Sequence, residues 1–188
     1  MQRITTEAMH TQCLFRQEVS HEGGLLFGPS VLLLACGPLL GQEPSGAATR
    51  DIRALYQSYM EAFNKKDVRK IMSFYVPGSD LFVFDVTPPR QHVGWADYKK
   101  DWEDLFAAFP GPLHHELSDL SITMSGTMAV SHYVVAGYFT GPDSARLTVA
   151  VRVTDALRRM RGKWLIFQEH VSVPVDLGTG KADLLSKP

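Results

Sequence analysis

The sequence predicts an α+β fold: a cone-shaped, curved antiparallel sheet wrapped around three helices from the N-terminal half, with an apolar pocket inside. Helices packed on one face of an antiparallel sheet are one of the few layer arrangements that bury both apolar surfaces. Three observations carry the prediction. Apolar residues recur at helical spacing over 52–63 and again over 95–109. Four strand-like runs then follow in close succession, about 113–124, 127–140, 145–157 and 162–173, with turn residues such as Ser125-Gly126, Gly141-Pro142-Asp143 and Arg161-Gly162 between them. Finally, the last run is rich in β-branched and aromatic residues and ends at Pro174.

Asp51 reads as the start of the first helix, whose stripe is Ile52, Leu55, Tyr56, Tyr59, Met60 and Phe63. Asn64-Lys65-Lys66 breaks the stripe. Asp67 can then cap a short second helix to about Tyr75, because its carboxylate accepts from amides that the helix leaves unpaired. Pro77-Gly78 ends that helix, and Leu81 to Val86 is a strand closed by Pro88-Pro89. After Gly94 a third helix carries Trp95, Tyr98, Trp102, Leu105, Phe106 and Phe109, and Pro110-Gly111-Pro112 stops it. Asp101, Glu103 and Asp104 read as its solvated side. The four remaining runs form an antiparallel meander.

Ahead of this domain, which spans 48–176, residues 1–47 read as a leader and linker, and 177–188 as a flexible tail. The most apolar stretch of the chain, Leu25 to Leu40, is short of the roughly 20 residues that span a bilayer and is interrupted by Gly and Pro. It fits the apolar region of a signal peptide. Leu33-Leu34-Ala35-Cys36 is similar to a lipobox, which would make Cys36 a lipidation site and a lipid anchor the only link to a membrane. Export is the expectation; a disordered leader on a cytoplasmic protein is the other reading.

A hydrophobic content of 45% and a charged content of 21% suit a globular core. With a formal net charge of -1 and no long basic run, no nucleic-acid partner is expected. Cys13 and Cys36 both precede the domain, so its chemistry needs no thiol. No phosphate-cradling or dinucleotide motif is present, and no cofactor is expected. Neighbouring His114 and His115 point to opposite faces of a strand and cannot easily share one ion, so no metal is expected either.

Alternation along the last strand puts Trp164, Ile166, Gln168, His170 and Ser172 in one row, an apolar anchor running into polar groups as at a pocket wall. Asp85 stands inside the apolar run Leu-Phe-Val-Phe-Asp-Val, where an unpaired charge is costly to bury, so it is the strongest candidate for chemistry. Its alternative is a carboxylate of the Pro-Pro turn. Tyr56, Trp95, Trp102, His132, Val153 and Ser172 are expected to line the pocket, although Trp95, Trp102 and His132 also suit plain packing.

Tyr59-Met-Glu-Ala-Phe-Asn64-Lys-Lys-Asp67, Val83-Phe-Asp85, Gly94 and Gly162-Lys-Trp164 through His170-Val-Ser172-Val-Pro174 together resemble the superfamily of nuclear transport factor 2, ketosteroid isomerase and the SnoaL-type cyclases. The ending is most similar to small SnoaL-like bacterial proteins. Ketosteroid isomerase pairs an aspartate base with an oxyanion hole made of a tyrosine and a protonated aspartic acid. The resemblance carries the base to Asp85 and the tyrosine to Tyr59, and it places Val153 where the acid would stand. It implies a pocket for a small apolar, carbonyl-bearing molecule, with His170 as a second acid/base or an orienting group. The alternative it leaves open is a non-catalytic ligand-binding or association domain. The superfamily often pairs sheets, and an outward row of Arg152 and Thr154 suits a homodimer.

Overall fold

The computed structural model describes residues 45–186. Residues 1–44 of the expected leader, with Cys36, lie outside the described residues, and its last residues, 45–47, belong to the first helix. Helix α1 (Ser45–Asn64) begins earlier than Asp51, and α2 (Val68–Met72) is capped as expected, with Asp67 Oδ1 accepting from the Lys70 amide at 2.9 Å. A short turn of 3-10 helix (Gly78–Asp80) leads to β1 (Phe82–Phe84) and β2 (His92–Val93), a strand too short to show alternation in the sequence. Then come α3 (Trp95–Ala108), β3 (His114–Ser125), β4 (Met128–Thr140), β5 (Arg146–Met160) and β6 (Lys163–Ser172).

The strands form one six-stranded sheet in the order β2-β1-β6-β5-β4-β3. All pairs are antiparallel except β1 with β6, which run parallel because the chain crosses from one edge of the meander to the other through α3. Helical stripes and inward strand residues share one core. Ile52, Tyr59 and Phe63 of α1 are buried, as are Tyr98, Trp102 and Phe106 of α3, and Val153, Leu157 and Ile166 of the sheet. Each large apolar side chain buried in this way contributes roughly 1.5–3 kcal/mol.

Two bulges set which residues face this core. Ser118 pairs with Val134 but Ser121 with His132, so β3 carries one extra residue, with Asp119 in a left-handed conformation (φ 55°). On β6, Ile166 pairs with Leu157 but Gln168 with Ala156, which leaves Phe167 as the extra residue. An extra residue inverts the inward face beyond it. Trp164 and Ile166 therefore point inward as the alternation predicts, but further along it is Glu169 that is buried and His170 that is exposed.

The chain does not run off as a tail after β6. Val175 bridges Ala182 in a tight turn, and the Leu184 carbonyl accepts from the Ala150 amide on β5 at 2.7 Å. The domain boundary expected at 176 falls inside this turn. Among the described residues no helix is long and apolar enough to cross a membrane.

Strands β3 and β4 meet most closely where His115 opposes Gly137. A Cβ at Gly137 would stand 2.6 Å from the Cα of His115 and closer still to the His114 carbonyl oxygen. Backbone cannot yield as a flexible side chain can. Gly137→Ala is therefore expected to destabilise the fold by more than about 2 kcal/mol, seen as a lower urea midpoint with an unchanged slope; a midpoint equal to the wild type's would contradict the contact.

Candidate active site

The concave face of the sheet and the helices enclose an apolar cavity of about 370 Å³, within the range of small-molecule sites. Tyr59, Phe63 and Trp102 come from the helices, and Val151 and Val153 from β5. Ala182 and Leu184 of the C-terminal turn close part of the opening. Polar groups gather on one wall: Asp85, Tyr98, Asp101 and Glu169.

Asp85 follows β1 directly and shares the inward face of Val83, which stands beside Glu169 in the parallel β1–β6 pair. Its Oδ1 accepts from the Val86 amide at 2.5 Å, which fixes the carboxyl against the turn. Burial raises its pKa, while the Val86 and Thr87 amides and the positive charge available at His92 pull it part of the way back. Asp101 is the exception on the expected solvated side of α3: Glu103 and Asp104 pair with Lys99 and Lys100 outside, but Asp101 turns to the cavity and is raised first by burial and then by Asp85. His92 lies behind this wall, with Nδ1 3.2 Å from Asp97 and Nε2 3.6 Å from Asp101.

Tyr59, Tyr98, Tyr133 and Glu169 of the lining belong to a cluster of two carboxyls and five phenols that extends behind the cavity. Glu169 Oε1 accepts from Tyr98 at 2.5 Å and Oε2 from Tyr75 at 2.8 Å, and Tyr75 in turn meets the Tyr59 hydroxyl at 3.1 Å. Asp155 Oδ2 accepts from Tyr56 at 2.7 Å and from Tyr133 at 2.9 Å. With the Tyr56 proton committed to Asp155, the Ser131 hydroxyl donates to the Tyr56 oxygen. Asp155 and Glu169 are register partners on β5 and β6, so their carboxyls face each other across the strand pair. Two like charges so placed in a dry site are unfavourable, and the pair retains a proton that isolated carboxyls would lose. Burial, then Asp155, drives Glu169 well above the usual glutamate range; burial lifts Asp155 to about 6 against the pull of the Tyr56 and Tyr133 hydrogen bonds. Burial also raises all five phenols.

Of the residues expected in the pocket, Tyr59, Asp85, Trp102 and Val153 line one cavity. The others do not. His170 and Ser172 stand outside the lining because the bulge at Phe167 inverts their row, and His170 packs its ring beside Phe84 on the outer side. His132 is exposed because β4 has the opposite phase, with Ser131 and Tyr133 turned inward. Trp95 sits at the start of α3 and donates its indole N–H to the Met72 carbonyl at 2.9 Å, tying α3 to α2. Tyr56 borders the groove between α1 and β3 instead, with its hydroxyl in the Asp155 cluster. His114 is exposed and His115 buried, on opposite faces of β3.

Sequence reasoning missed Glu169, Asp155, Tyr98 and Tyr133. Asp155 was within reach: it continues the inward series Leu147, Val149, Val151, Val153 by one step. Nothing in the sequence marks the bulge that turns Glu169 inward.

Because the Asp155 pKa is higher in the folded chain than in the unfolded one, the folded state holds more protons between those values. Its favourable contribution is complete below the ordinary aspartate range and is lost as pH rises through about 6. Asp155→Asn keeps the acceptor for both phenols and removes the charge. It should raise stability at about pH 8 by roughly 2 kcal/mol and change it little at about pH 4. Thermal melts at both pH values check this, and a gain of equal size at both would refute the buried charge.

The SnoaL-like domain family matches residues 52–176 of the chain. Among solved structures, an NTF2-like protein of unknown function from Pseudomonas putida is 30% identical, with a TM-score of 0.68 over 77% of this chain and 99% of that one. A ketosteroid isomerase-like protein from Erwinia carotovora (19% identical, TM-score 0.57, 65% of this chain and 93% of that one) shares the fold. So does a protein from Novosphingobium aromaticivorans provisionally described as a scytalone dehydratase (18% identical, TM-score 0.62, 76% of this chain and 95% of that one). No curated protein sequence matches the chain.

Proposed function

The chain belongs to the SnoaL-like domain family, and from that premise we propose that its cavity binds a small apolar carbonyl compound and moves a proton next to the carbonyl. The observation that carries the reading is the phenol of Tyr98, held by Glu169 at 2.5 Å on the same polar wall of the cavity as Asp85. Asp85 is the base. Its carboxylate is partly desolvated, which raises its proton affinity toward the range useful near neutral pH.

The direction of the hydrogen bonds gives the phenols different roles. An ionised Glu169 accepts from Tyr98 at Oε1; once burial has it hold a proton on that oxygen the same contact runs the other way, with Oε1–H donating to the Tyr98 oxygen and the Tyr98 hydrogen free to turn toward the cavity. Oε2 still accepts from Tyr75, and the Tyr75 oxygen accepts from Tyr59. The Tyr59 proton is then occupied, and Tyr98 is the donor with a hydrogen to offer a ligand. In the reaction Asp85 takes a proton from the carbon next to the carbonyl, and the C–H electron pair moves onto the carbonyl oxygen as an enolate. Tyr98 hydrogen-bonds that oxygen with Glu169 behind it. Asp85–H then returns a proton to the same carbon, which gives exchange with solvent, or, where a neighbouring C=C extends the enolate to a dienolate, to its far carbon, which gives isomerisation. Dehydratase- and isomerase-like descriptions of the structural neighbours fit this class of chemistry.

The test is deuterium exchange at the activated carbon of β-tetralone, followed by NMR in heavy water. The wild type should accelerate exchange, with activity lost at low pH as Asp85 is protonated and at high pH as Glu169 loses its proton. Asp85→Asn should lower kcat by about 100-fold or more, with KM changed only a few-fold, and Tyr98→Phe should lower kcat by roughly 10-fold or more. Exchange that persists undiminished in Asp85→Asn rules out the assigned base. A wild type that binds the ketone without exchanging it leaves a ligand-binding domain in place of an enzyme.

A further inference from the structure

Two residues of the C-terminal turn, Ala182 and Leu184, line the cavity, yet the turn is almost independent of the domain that it closes. Within residues 174–184 the bonding is dense. The Asp183 amide donates to the Pro174 carbonyl at 2.8 Å, the Asp176 amide to the Lys181 carbonyl at 2.9 Å, and the Gly180 amide to the Asp176 carbonyl at 2.7 Å. Asp176 Oδ1 accepts from the Gly178 and Thr179 amides at 2.8 and 3.0 Å, which supplies partners for donors that the bend leaves unpaired. Outward bonding is sparse. Among the described residues one backbone bond joins the turn to the sheet, from the Ala150 amide to the Leu184 carbonyl at 2.7 Å.

Strand lengths explain that single bond. β6 ends at Ser172, opposite Arg152, while β5 begins at Arg146, so the β6 side of β5 is left open ahead of Arg152. The turn folds back into part of this gap, with Leu184 half-buried and Leu177, Lys181 and Ala182 exposed. Its junction with β6 is Val173-Pro174, where proline removes the N–H that a continuing ladder would need. Val86 and Leu147, the latter on the same strand as Ala150, also line the cavity although each is 40% exposed, so they mark its rim. The turn therefore sits at the mouth.

A segment braced within itself, joined at a strand end and held down by one hydrogen bond and one half-buried leucine, has the build of a gate. We propose that residues 174–184 swing as a unit about the Val173–Pro174 junction, and that the ligand of the cavity enters and leaves beneath them. Closing seats Leu184 over the cavity and restores the Ala150 bond. Opening gives up only that bond and that contact, and water replaces the bond in part. This rests on the reading of the cavity as a ligand site, and it concerns access where that reading concerns the reaction.

Stopped-flow fluorescence with β-tetralone tests it in the full chain, because Trp102 lines the cavity and reports its occupancy. A gate that is shut most of the time slows entry and exit alike, whereas a fixed wall residue holds the bound ligand and affects exit alone. Leu184→Ala removes the closing contact from a half-buried position. It should raise the association and dissociation rate constants together, each by about fivefold or more. A chain ending at Pro174 should raise both further; where that shortened chain loses the wild type's thermal melt, Leu184→Ala alone decides. An association rate constant unchanged in Leu184→Ala overturns the proposal, whether or not dissociation speeds up. Saturable binding of the ketone by the wild type with that result overturns the gate only. A wild type that shows no saturable binding overturns the ligand reading and the gate with it.

Discussion

Two carboxyls buried face to face, Asp155 and Glu169, are the constraint on which the rest of the structure depends. A charge or an unpaired oxygen at this depth is costly, so each must be supplied with donors. The supply comes from every layer of the fold. Tyr56 reaches Asp155 from α1, Tyr133 from β4, Tyr75 reaches Glu169 from beyond α2, and Tyr98 from α3. Displacing α3 or the segment that carries Tyr75 leaves a Glu169 oxygen without its donor in a dry core, and displacing α1 or β4 removes one of the two donors to Asp155 Oδ2. The cluster thus ties the helices to the sheet more specifically than apolar burial can, because apolar contact tolerates sliding and hydrogen bonds do not.

That dependence explains what could be read from the sequence. Period and punctuation were enough for the elements: the stripe from Ile52 to Phe63, the cap at Asp67 and the stop at Pro110-Gly111-Pro112 each act within a few residues. Asp85 was legible for the same reason, as an acid on the inward face of an apolar strand. The cluster was not, because it is made of tertiary pairings. Tyr98 looks like any aromatic on an amphipathic stripe until Glu169 stands opposite it. Val153 marks where the resemblance expects an acid; an acid stands one inward position later, at Asp155, but it is outside the cavity lining. The phase of β6 depends on a single extra residue, Phe167, and that one residue exchanges His170 for Glu169 at the cavity wall. Period-two reasoning is as good as the strand is regular, and this strand is not regular at the place that matters.

Low polarity acts on the two ends of the cavity with opposite consequences. Burial disfavours the charged form of any group, so it raises the acids and lowers the imidazole. At the β1–β6 wall it turns Asp85 and Glu169 into groups that hold protons more tightly than exposed carboxyls. At the β3 end it leaves His115 uncharged and able both to accept and to donate.

The C-terminal turn belongs to this argument. Ala182 and Leu184 lie over the opening, and the turn is joined to β5 by the bond from the Ala150 amide to the Leu184 carbonyl. Water admitted at that opening would reach the cavity wall and reduce the desolvation that raises Asp85. The apolar surface that Leu184 presents is therefore part of what sets the acid–base character of the wall, although the residue touches no proton itself. A ligand that fills the chamber completes the same exclusion from inside, so binding would strengthen the electrostatics on which the proposed proton transfer relies.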